Sequence, residues 1–172
     1  MPTKTPLAVV NTLSAAAFNA VFGRVFEHSP WIAERALAKR PFASRSAMHL
    51  AMCEVVEHAS LAEKIALLCA HPELAGNEAQ SGMLTPESTN EQRTAGLNAL
   101  SKEEMTSIAS LNRAHTEKFG FPFIIAARLN TKGRIFAELE RRNGLDAEAE
   151  LAACLEQVYL ITQLRIDDLI ED

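Results

Sequence analysis

The chain has 172 residues, of which 48% are hydrophobic and 23% are charged, and its formal net charge is -5. The length suits one domain, and the composition is typical of a globular protein with a sizeable core. The acidic balance argues against a nucleic-acid surface and no apolar run approaches the ~20 residues of a membrane span, so neither nucleic acid nor a membrane is expected as a partner.

The cysteines and the two ends of the chain give further limits. Cys53, Cys69 and Cys154 lie far apart in apolar contexts without disulfide or zinc spacing, so each is predicted to be a small core residue. No phosphate-binding glycine loop occurs, and neither a metal nor an organic cofactor is expected. The ends carry neither a secretory signal nor a peroxisomal Ser-Lys-Leu address, which indicates a cytoplasmic protein.

Capping residues mark the predicted elements in chain order. Residues 1–12 are expected to form a flexible or loosely packed arm of one domain that spans residues 1–172. Helix starts are then predicted at Ser14, Ser29-Pro30, Ser44 or Ser46, Ser60, Thr85-Pro86, Ser101, Thr131 and Asp146. Ser60 and Ser101 are each followed three residues later by Glu, which is the form of a capping box.

The remaining pattern supports an all-α fold. Residues 77–84 are polar and contain glycine, so they are predicted to form a loop. The helix after Thr85 is expected to run to Leu97 or Leu100. No alternating strand pattern with hairpin turns occurs. The chain is therefore predicted to be a compact all-α domain of about eight helices.

His71 is the first candidate for chemistry. An apolar helical run, residues 65–70, stops at His71, and Pro72 follows. Because the residue before a proline is pushed out of the helical region, His71 is predicted to lie at a helix end. An imidazole held there suits proton transfer near neutral pH, and the structural alternative is a histidine stabilised by the helix dipole.

A second candidate is a polar helix face made of Ser88, Glu91 and Gln92. These residues are related as i, i+3 and i+4, so their side chains project together. A hydroxyl, a carboxylate and an amide on one face can bind a polar ligand. The alternative interpretation is a solvated helix face.

Two further features suit a ligand pocket. Residues 121–127 are apolar and are interrupted by Pro122, which predicts a buried extended segment, with core packing as the alternative to pocket lining. Arg165 lies in an apolar stretch and so needs an anionic partner. That partner is either a substrate carboxylate or one of three acidic residues, Glu91, Asp167 and Asp168.

The other charged and polar motifs are predicted to be structural. Residues 27–31 are interpreted as a packed helix junction. Four histidines are predicted to be ordinary surface or half-buried residues, namely His28, His49, His58 and His115.

Taken together, these motifs resemble one known family. They are Phe26-Glu27-His28-Ser29-Pro30-Trp31-Ile32-Ala33, Ala70-His71-Pro72-Glu73-Leu74-Ala75-Gly76, Leu84-Thr85-x-Glu87-Ser88-x-x-Glu91-Gln92, Gly96-Leu97, Leu111-Asn112, Phe119-Gly120-Phe121-Pro122-Phe123-Ile124 and Leu164-Arg165-Ile166. In this order they resemble the 2-oxo-4-hydroxy-4-carboxy-5-ureidoimidazoline (OHCU) decarboxylases of urate degradation. The resemblance runs from about residue 18 to residue 169.

The resemblance implies an all-α, cofactor-free lyase that acts on OHCU, a small-molecule substrate, and makes S-allantoin. It implies His71 as the catalytic histidine and places Glu91 on the substrate-binding face. Glu91 is also expected to be catalytic, either fixing the His71 tautomer or binding substrate. It implies a substrate-binding set of Pro72, Ser88, Gln92, Phe123, Ile124, Ile125, Ala126, Ala127 and Arg165. A homodimer is left open. The alternatives are a non-catalytic helical ligand-binding module, or a lyase or hydrolase acting on a related ureido compound.

Overall fold

A computed structural model describes residues 4–171 of the chain. The described residues form ten α-helices: α1 (Leu7–Val10), α2 (Ala15–Phe22), α3 (Trp31–Ala36), α4 (Arg45–Glu57), α5 (Leu61–Cys69), α6 (Asn77–Ser81), α7 (Pro86–Thr94), α8 (Lys102–Phe119), α9 (Lys132–Arg142) and α10 (Ala147–Leu169). Two 3-10 helices, Leu37–Lys39 and Ala127–Leu129, and two short strands, β1 (Thr5–Pro6) and β2 (Ile170–Glu171), complete the fold. Residues 1–3 of the expected N-terminal arm lie outside the described residues.

Eight of these ten helices have six residues or more. The prediction of an all-α fold with about eight helices is therefore confirmed. None of the helices among residues 4–171 combines the length and the apolar character needed to cross a membrane.

The chain forms two compact units. The first contains the described residues up to Ala70 together with those from Tyr159 onwards, and the second contains residues 71–158. In the first unit, α3 packs against α2 and α4, and β1 pairs in parallel with β2. Apolar helix faces supply its core, where the rings of Phe18 and Phe22 lie 4.9 Å apart.

The core of the second unit is built around irregular backbone as well as helices. Its buried cluster takes side chains from residues 74–75, from residues 95–97 just after α7, from residues 123–127, and from α8 and α9. Its members are Leu74, Ala75, Ala95, Leu97, Ile108, Phe123, Ile125, Ala127, Ile135 and Leu139. Phe123, Ile125 and Ala127 alternate along the chain, as expected for one face of an extended segment.

Most helix starts follow the predicted caps. The hydroxyls of Ser14, Ser44, Ser60, Thr85, Ser101 and Thr131 each accept a backbone N–H from the first turn of their helix. Both capping boxes are complete, and Asp146 Oδ1 accepts the N–H of Ala149 at 2.8 Å. These local hydrogen bonds satisfy donors that a helix start leaves open, which is why the sequence predicts them well.

Several boundaries differ from the prediction. The predicted loop at residues 77–84 contains α6, because good helix formers lie there between two glycines and Gly82, at φ 72, ends the turn. Helix α7 ends at Thr94, since Gly96 has φ 77 and breaks the helix before Leu97. Ser29 does not cap α3: its hydroxyl donates to Glu27 O at 3.0 Å, and Pro30 occupies the N-cap position.

The cysteine prediction is correct for two of three positions. Cys53 and Cys154 are buried, whereas Cys69 at the end of α5 is exposed. An apolar stretch in a helix does not reveal which of its faces a given residue occupies, and Cys69 lies on the outer face.

Two glycines allow a test of how a left-handed backbone conformation affects stability. Gly120 ends α8 with φ 80, whereas Gly133 lies inside α9, and a Cβ at either position would meet open space. We expect Gly120→Ala to lower the free energy of unfolding by about 1–2 kcal/mol because of left-handed strain. Gly133→Ala should raise it by roughly 0.5 kcal/mol because a helix favours alanine.

Urea denaturation of the two variants and the wild-type protein measures both changes. Equal effects of the two substitutions would contradict the argument, since only the backbone conformation distinguishes the two sites.

Candidate active site

His71 lies directly after α5, as its sequence context predicts. Ala70 is the C-cap of that helix, and its N–H bonds to Ala66 O at 3.0 Å. The His71 side chain is only 7% exposed, and Pro72 is half-buried. The imidazole is thus held at an element boundary in a mostly dry environment, where proton transfer is not in competition with bulk water.

The loop of residues 73–76, which follows His71 and Pro72, is fixed by side-chain amides. Asn112 donates to Leu74 O at 3.0 Å, and Gln80 donates to Ala75 O at 3.1 Å. Ala75 has φ 50, a left-handed conformation that costs a non-glycine residue about 1–2 kcal/mol. At Gly76, an added Cβ would lie 2.7 Å from the Cβ of Glu73, so only glycine fits.

Helix α7 places its predicted polar face in the second unit. Ser88 and Gln92 are buried, and Glu91 is half-buried. Gln92 Oε1 accepts the Ala75 N–H at 2.9 Å, and its Nε2 donates to Glu73 O at 3.4 Å. The amide of Gln92 therefore supports the loop that follows His71, a role that sequence reasoning missed.

Residues 121–127, the extended segment, are buried in the second unit as predicted. The 3-10 helix at the end of this segment packs against α7. Together with the shared apolar core, this contact brings the loop 73–76, helix α7 and the extended segment into one region of the second unit.

Helix side chains bond the backbone of the extended segment. Arg142 Nη1 donates to Ile124 O at 2.7 Å, and Gln157 Oε1 accepts the Ala126 N–H at 2.9 Å. His115 Nδ1 lies 3.0 Å from Phe121 O. Extended backbone outside a sheet must find partners of this kind, since buried backbone polar groups are costly when left open.

Arg142, Glu150 and His115 form a buried network behind the segment. The Nε and Nη2 atoms of Arg142 donate to the Glu150 carboxylate at 2.7 to 3.1 Å, and His115 Nε2 lies 2.7 Å from Glu150 Oε1. Burial by itself raises the pKa of the Glu150 carboxyl, but hydrogen bonds from His115 and Arg142 outweigh it and hold the pKa below its ordinary value.

The His115 ring faces acceptors with both of its nitrogens, a carbonyl at Nδ1 and a carboxylate at Nε2. A ring with one proton can donate to only one of them. Which of the two acceptors receives the proton of a neutral ring depends on the tautomer of His115.

His115, Glu150 and Cys154 place potential metal-ligand atoms within 4.8 Å of one another. The guanidinium of Arg142 already lies among these atoms and donates to both Glu150 and Cys154. Burial raises the pKa of the Cys154 thiol to about 12, so it is not the thiolate that binds metals. The chemistry of this cluster fits an ion-pair network better than a metal site.

Arg165 belongs to the first unit, where it forms an ion pair with Glu27, an acidic residue that was not put forward from the sequence. Its Nη1 donates to Glu27 Oε2 at 2.7 Å and to Val25 O at 3.2 Å, and both charged side chains are buried. The junction 27–31 was interpreted as packing alone, but the carboxylate of Glu27 also forms a buried ion pair there. A distance of 138 residues in sequence hides this pair from any local pattern.

The buried residues that hold the backbone around the site were not predicted from the sequence. His49 and His115 were predicted to be surface or half-buried residues, which is wrong, since both are buried. Asn112, Arg142, Glu150 and Gln157 were not singled out. One feature of the sequence pointed to these residues: Arg142 and Glu150 are opposite charges eight residues apart, on either side of a short turn. Charged residues at solvated helix ends show the same spacing, so it did not distinguish a buried pair.

Comparison with known proteins identifies the family. The family model described as OHCU decarboxylase matches residues 11–167. The chain belongs to the OHCU decarboxylase family. It is 38% identical to the 2-oxo-4-hydroxy-4-carboxy-5-ureidoimidazoline decarboxylase of Haloferax volcanii, with 93% of each chain covered. It is 37% identical to the protein of the same name from Xenopus laevis, with 95% of this chain and 93% of that protein covered.

A solved structure supports the same family fold. The crystal structure of (S)-allantoin synthase matches with a TM-score of 0.77 and 29% sequence identity. The match covers 97% of this chain and 54% of that chain, so this chain spans about half the length of the solved protein. The resemblance stated from the sequence motifs is confirmed at the level of family and fold.

The lowered pKa of Glu150 predicts how stability depends on pH. Glu150→Gln leaves Arg142 facing a neutral amide, and the free energy of unfolding at neutral pH should fall by about 3–5 kcal/mol. A carboxyl whose folded-state pKa is lowered contributes fully above its ordinary value of 4.5, and the contribution is lost as the pH falls through the folded-state pKa. The difference between wild type and variant should therefore shrink below that value.

Denaturation from about pH 7 down to about pH 3 measures the difference. Glu138→Gln is the control, because Glu138 pairs with Arg141 at the surface and its loss should change stability by less than about 1 kcal/mol. A constant difference between the wild type and Glu150→Gln at every pH would contradict the assigned charge of Glu150.

Proposed function

We propose that this chain is a cofactor-independent decarboxylase that converts OHCU to S-allantoin in urate degradation. The observation that carries the proposal is the family match over residues 11–167, with relatives of this name that align over 93% of their length. Because that match spans residues from both compact units, we also propose that residues 1–172 act as one functional domain.

The substrate's own structure makes this chemistry accessible to ordinary side chains. The carbon that loses CO2 bears a carboxylate and a hydroxyl beside a ring C=N. When the C–C bond to the carboxylate breaks, the adjacent C=N accepts the electron pair, so the substrate supplies its own electron sink. The protein must orient the carboxylate, exclude water and deliver one proton to one face.

His71 is proposed as the general acid/base that moves this proton. It is buried at a helix end, and the loop after it is fixed by Gln92, Gln80 and Asn112. A positioned imidazole typically contributes ~10²–10⁴ in rate. Glu91, half-buried on α7, is proposed either to fix the His71 tautomer or to bind substrate.

The remaining residues are proposed to bind substrate. Ser88 and Gln92 offer a hydroxyl and an amide on the buried face of α7, and the extended segment offers backbone groups of residues 123–127. Pro72 is proposed to line the same pocket. Arg165 is proposed to bind an anionic group of the substrate, since its planar guanidinium suits a carboxylate.

A direct experiment follows freshly generated OHCU by circular dichroism with and without the protein. Spontaneous decay gives racemic allantoin, so an excess of the S enantiomer reports catalysis. Racemic product at the uncatalysed rate would refute the proposed function.

His71→Asn tests the proton-transfer role. The variant removes the acid/base group but keeps hydrogen-bonding capacity, so kcat should fall by ~10² or more while KM changes less. His58→Asn is the control, because His58 is an exposed histidine at the end of α4. Near-full and stereoselective turnover by His71→Asn would show that His71 is not the acid/base.

Arg165→Lys tests the binding role of Arg165 while it keeps a positive charge next to Glu27. A lysine keeps the charge facing Glu27 but loses the bidentate fork, so we expect KM to rise about tenfold or more, with a smaller change in kcat. Arg35→Lys, in the exposed pair with Glu63, is the matched control and should leave KM unchanged. The binding role would be rejected by an unaltered KM in Arg165→Lys.

A further inference from the structure

Three buried charged or titratable residues of the second unit have no part in the proposed chemistry. They are His115 on α8, Arg142 on α9 and Glu150 on α10, and each is at most 2% exposed. Side chains from three helices thus place charged groups together in the interior, and burying each group costs desolvation free energy. Two of them, Arg142 and His115, bond backbone carbonyls of the extended segment, and Glu150 bonds both of these side chains.

The contacts fix the direction of successive peptide groups in that segment. Arg142 Nη1 holds Ile124 O at 2.7 Å, and Gln157 Oε1 holds the Ala126 N–H at 2.9 Å. In a planar trans peptide the C=O and N–H point in opposite directions. The Ile125 N–H therefore points away from Arg142, and the Ile125 C=O points away from Gln157.

The geometry at Arg142 requires an arginine. Its guanidinium donates to both oxygens of Glu150, bonds Ile124 O, and lies over the Phe123 ring at 4.4 Å. A planar fork makes these contacts together, whereas a lysine ammonium is a single point charge that cannot. Glu150 is held in turn by His115, which lies 3.0 Å from Phe121 O.

The stability gained from the ion pair between Arg142 and Glu150 does not by itself account for this arrangement. Well-packed apolar residues in place of a buried ion pair are often as stable or more stable. What apolar side chains cannot do is hold a particular carbonyl in a particular direction. The ion pair is therefore best explained by the conformation that it imposes on the segment.

We propose that Arg142 and Gln157 are positioning residues, which set the direction of the backbone groups at Ile124, Ile125 and Ala126 for substrate binding. The inference rests on the proposed function, because that function assigns these backbone groups to the pocket. Glu150 and His115 act one step further away, by fixing the guanidinium of Arg142.

Four variants test this inference, with kcat, KM and the excess of S-allantoin measured on freshly generated OHCU. Arg142→Lys keeps the charge but loses the fork. Gln157→Met removes the acceptor of the Ala126 N–H, whereas Gln157→Glu keeps an acceptor at that position. Arg141→Lys is the matched control, since it makes the same change one residue earlier, in the exposed pair with Glu138.

We expect Arg142→Lys and Gln157→Met each to raise KM about tenfold, the effect of one misdirected hydrogen bond. Gln157→Glu and Arg141→Lys should keep KM close to the wild-type value. Thermal unfolding is measured in parallel, because a merely structural role would lower the folded fraction and the apparent kcat while leaving KM unchanged.

An unchanged KM in Gln157→Met would overturn the inference. If Arg142→Lys does not fold, the KM of Gln157→Met alone tests the inference. Loss of activity in Gln157→Glu equal to that in Gln157→Met would also overturn it, since the acceptor is retained. An inactive wild-type protein would refute the proposed function and the inference together. An active wild type with unaltered variants would refute the inference alone.

Discussion

The extended segment imposes the strongest constraint on the second unit, because its seven residues are buried and, in the described chain, belong to no sheet. A strand in a sheet obtains its hydrogen bonds from neighbouring backbone. Here the side chains of Arg142, Gln157 and His115 take that place. Each of these side chains comes from a different helix, so α8, α9 and α10 must all be placed correctly before the segment is satisfied.

Because the network is charged, its hydrogen bonds are strong, and the loss of any one of its members destabilises the protein. Hydrogen bonds to ionised groups are roughly twice as strong as those between neutral groups, and a low-dielectric interior strengthens them further. The same interior makes an unpartnered charge costly, so each member of the Arg142–Glu150–His115 network depends on the others. The conformation of the segment and the packing of the unit are therefore determined by one set of contacts.

The sequence predicted well those features that depend on neighbours along the chain. Ser60 and Ser101 begin helices because their hydroxyls bond N–H groups three residues away, and His71 lies after a helix because Pro72 follows it. Gly96 and Gly82 show the limit of such reasoning. Either glycine can end a helix or lie within a loop, and only its positive φ in the fold decides.

The supports of the candidate site could not be predicted in this way. His115 and Glu150 are 35 residues apart, and Glu27 and Arg165 are 138 apart. Whether a charged residue on a helix faces solvent or a buried partner depends on how helices pack, and a single sequence does not contain that information. The predicted residues of the second unit, His71, Ser88 and Gln92, are buried there, whereas the residues that fix the backbone around them became visible only in the fold.

The loop 73–76 and the extended segment follow the same physical principle. Both are irregular backbone, and both are fixed by polar side chains that project from helices, with Gln92 and Asn112 at the loop and Arg142 and Gln157 at the segment. Irregular backbone can present N–H and C=O groups to a ligand, which a helix interior cannot, because a helix consumes them internally. It is a precise binding surface only when its own flexibility is removed, and the helices supply that rigidity. The left-handed Ala75 fits this interpretation, because a strained residue persists only where the surrounding contacts over-determine it.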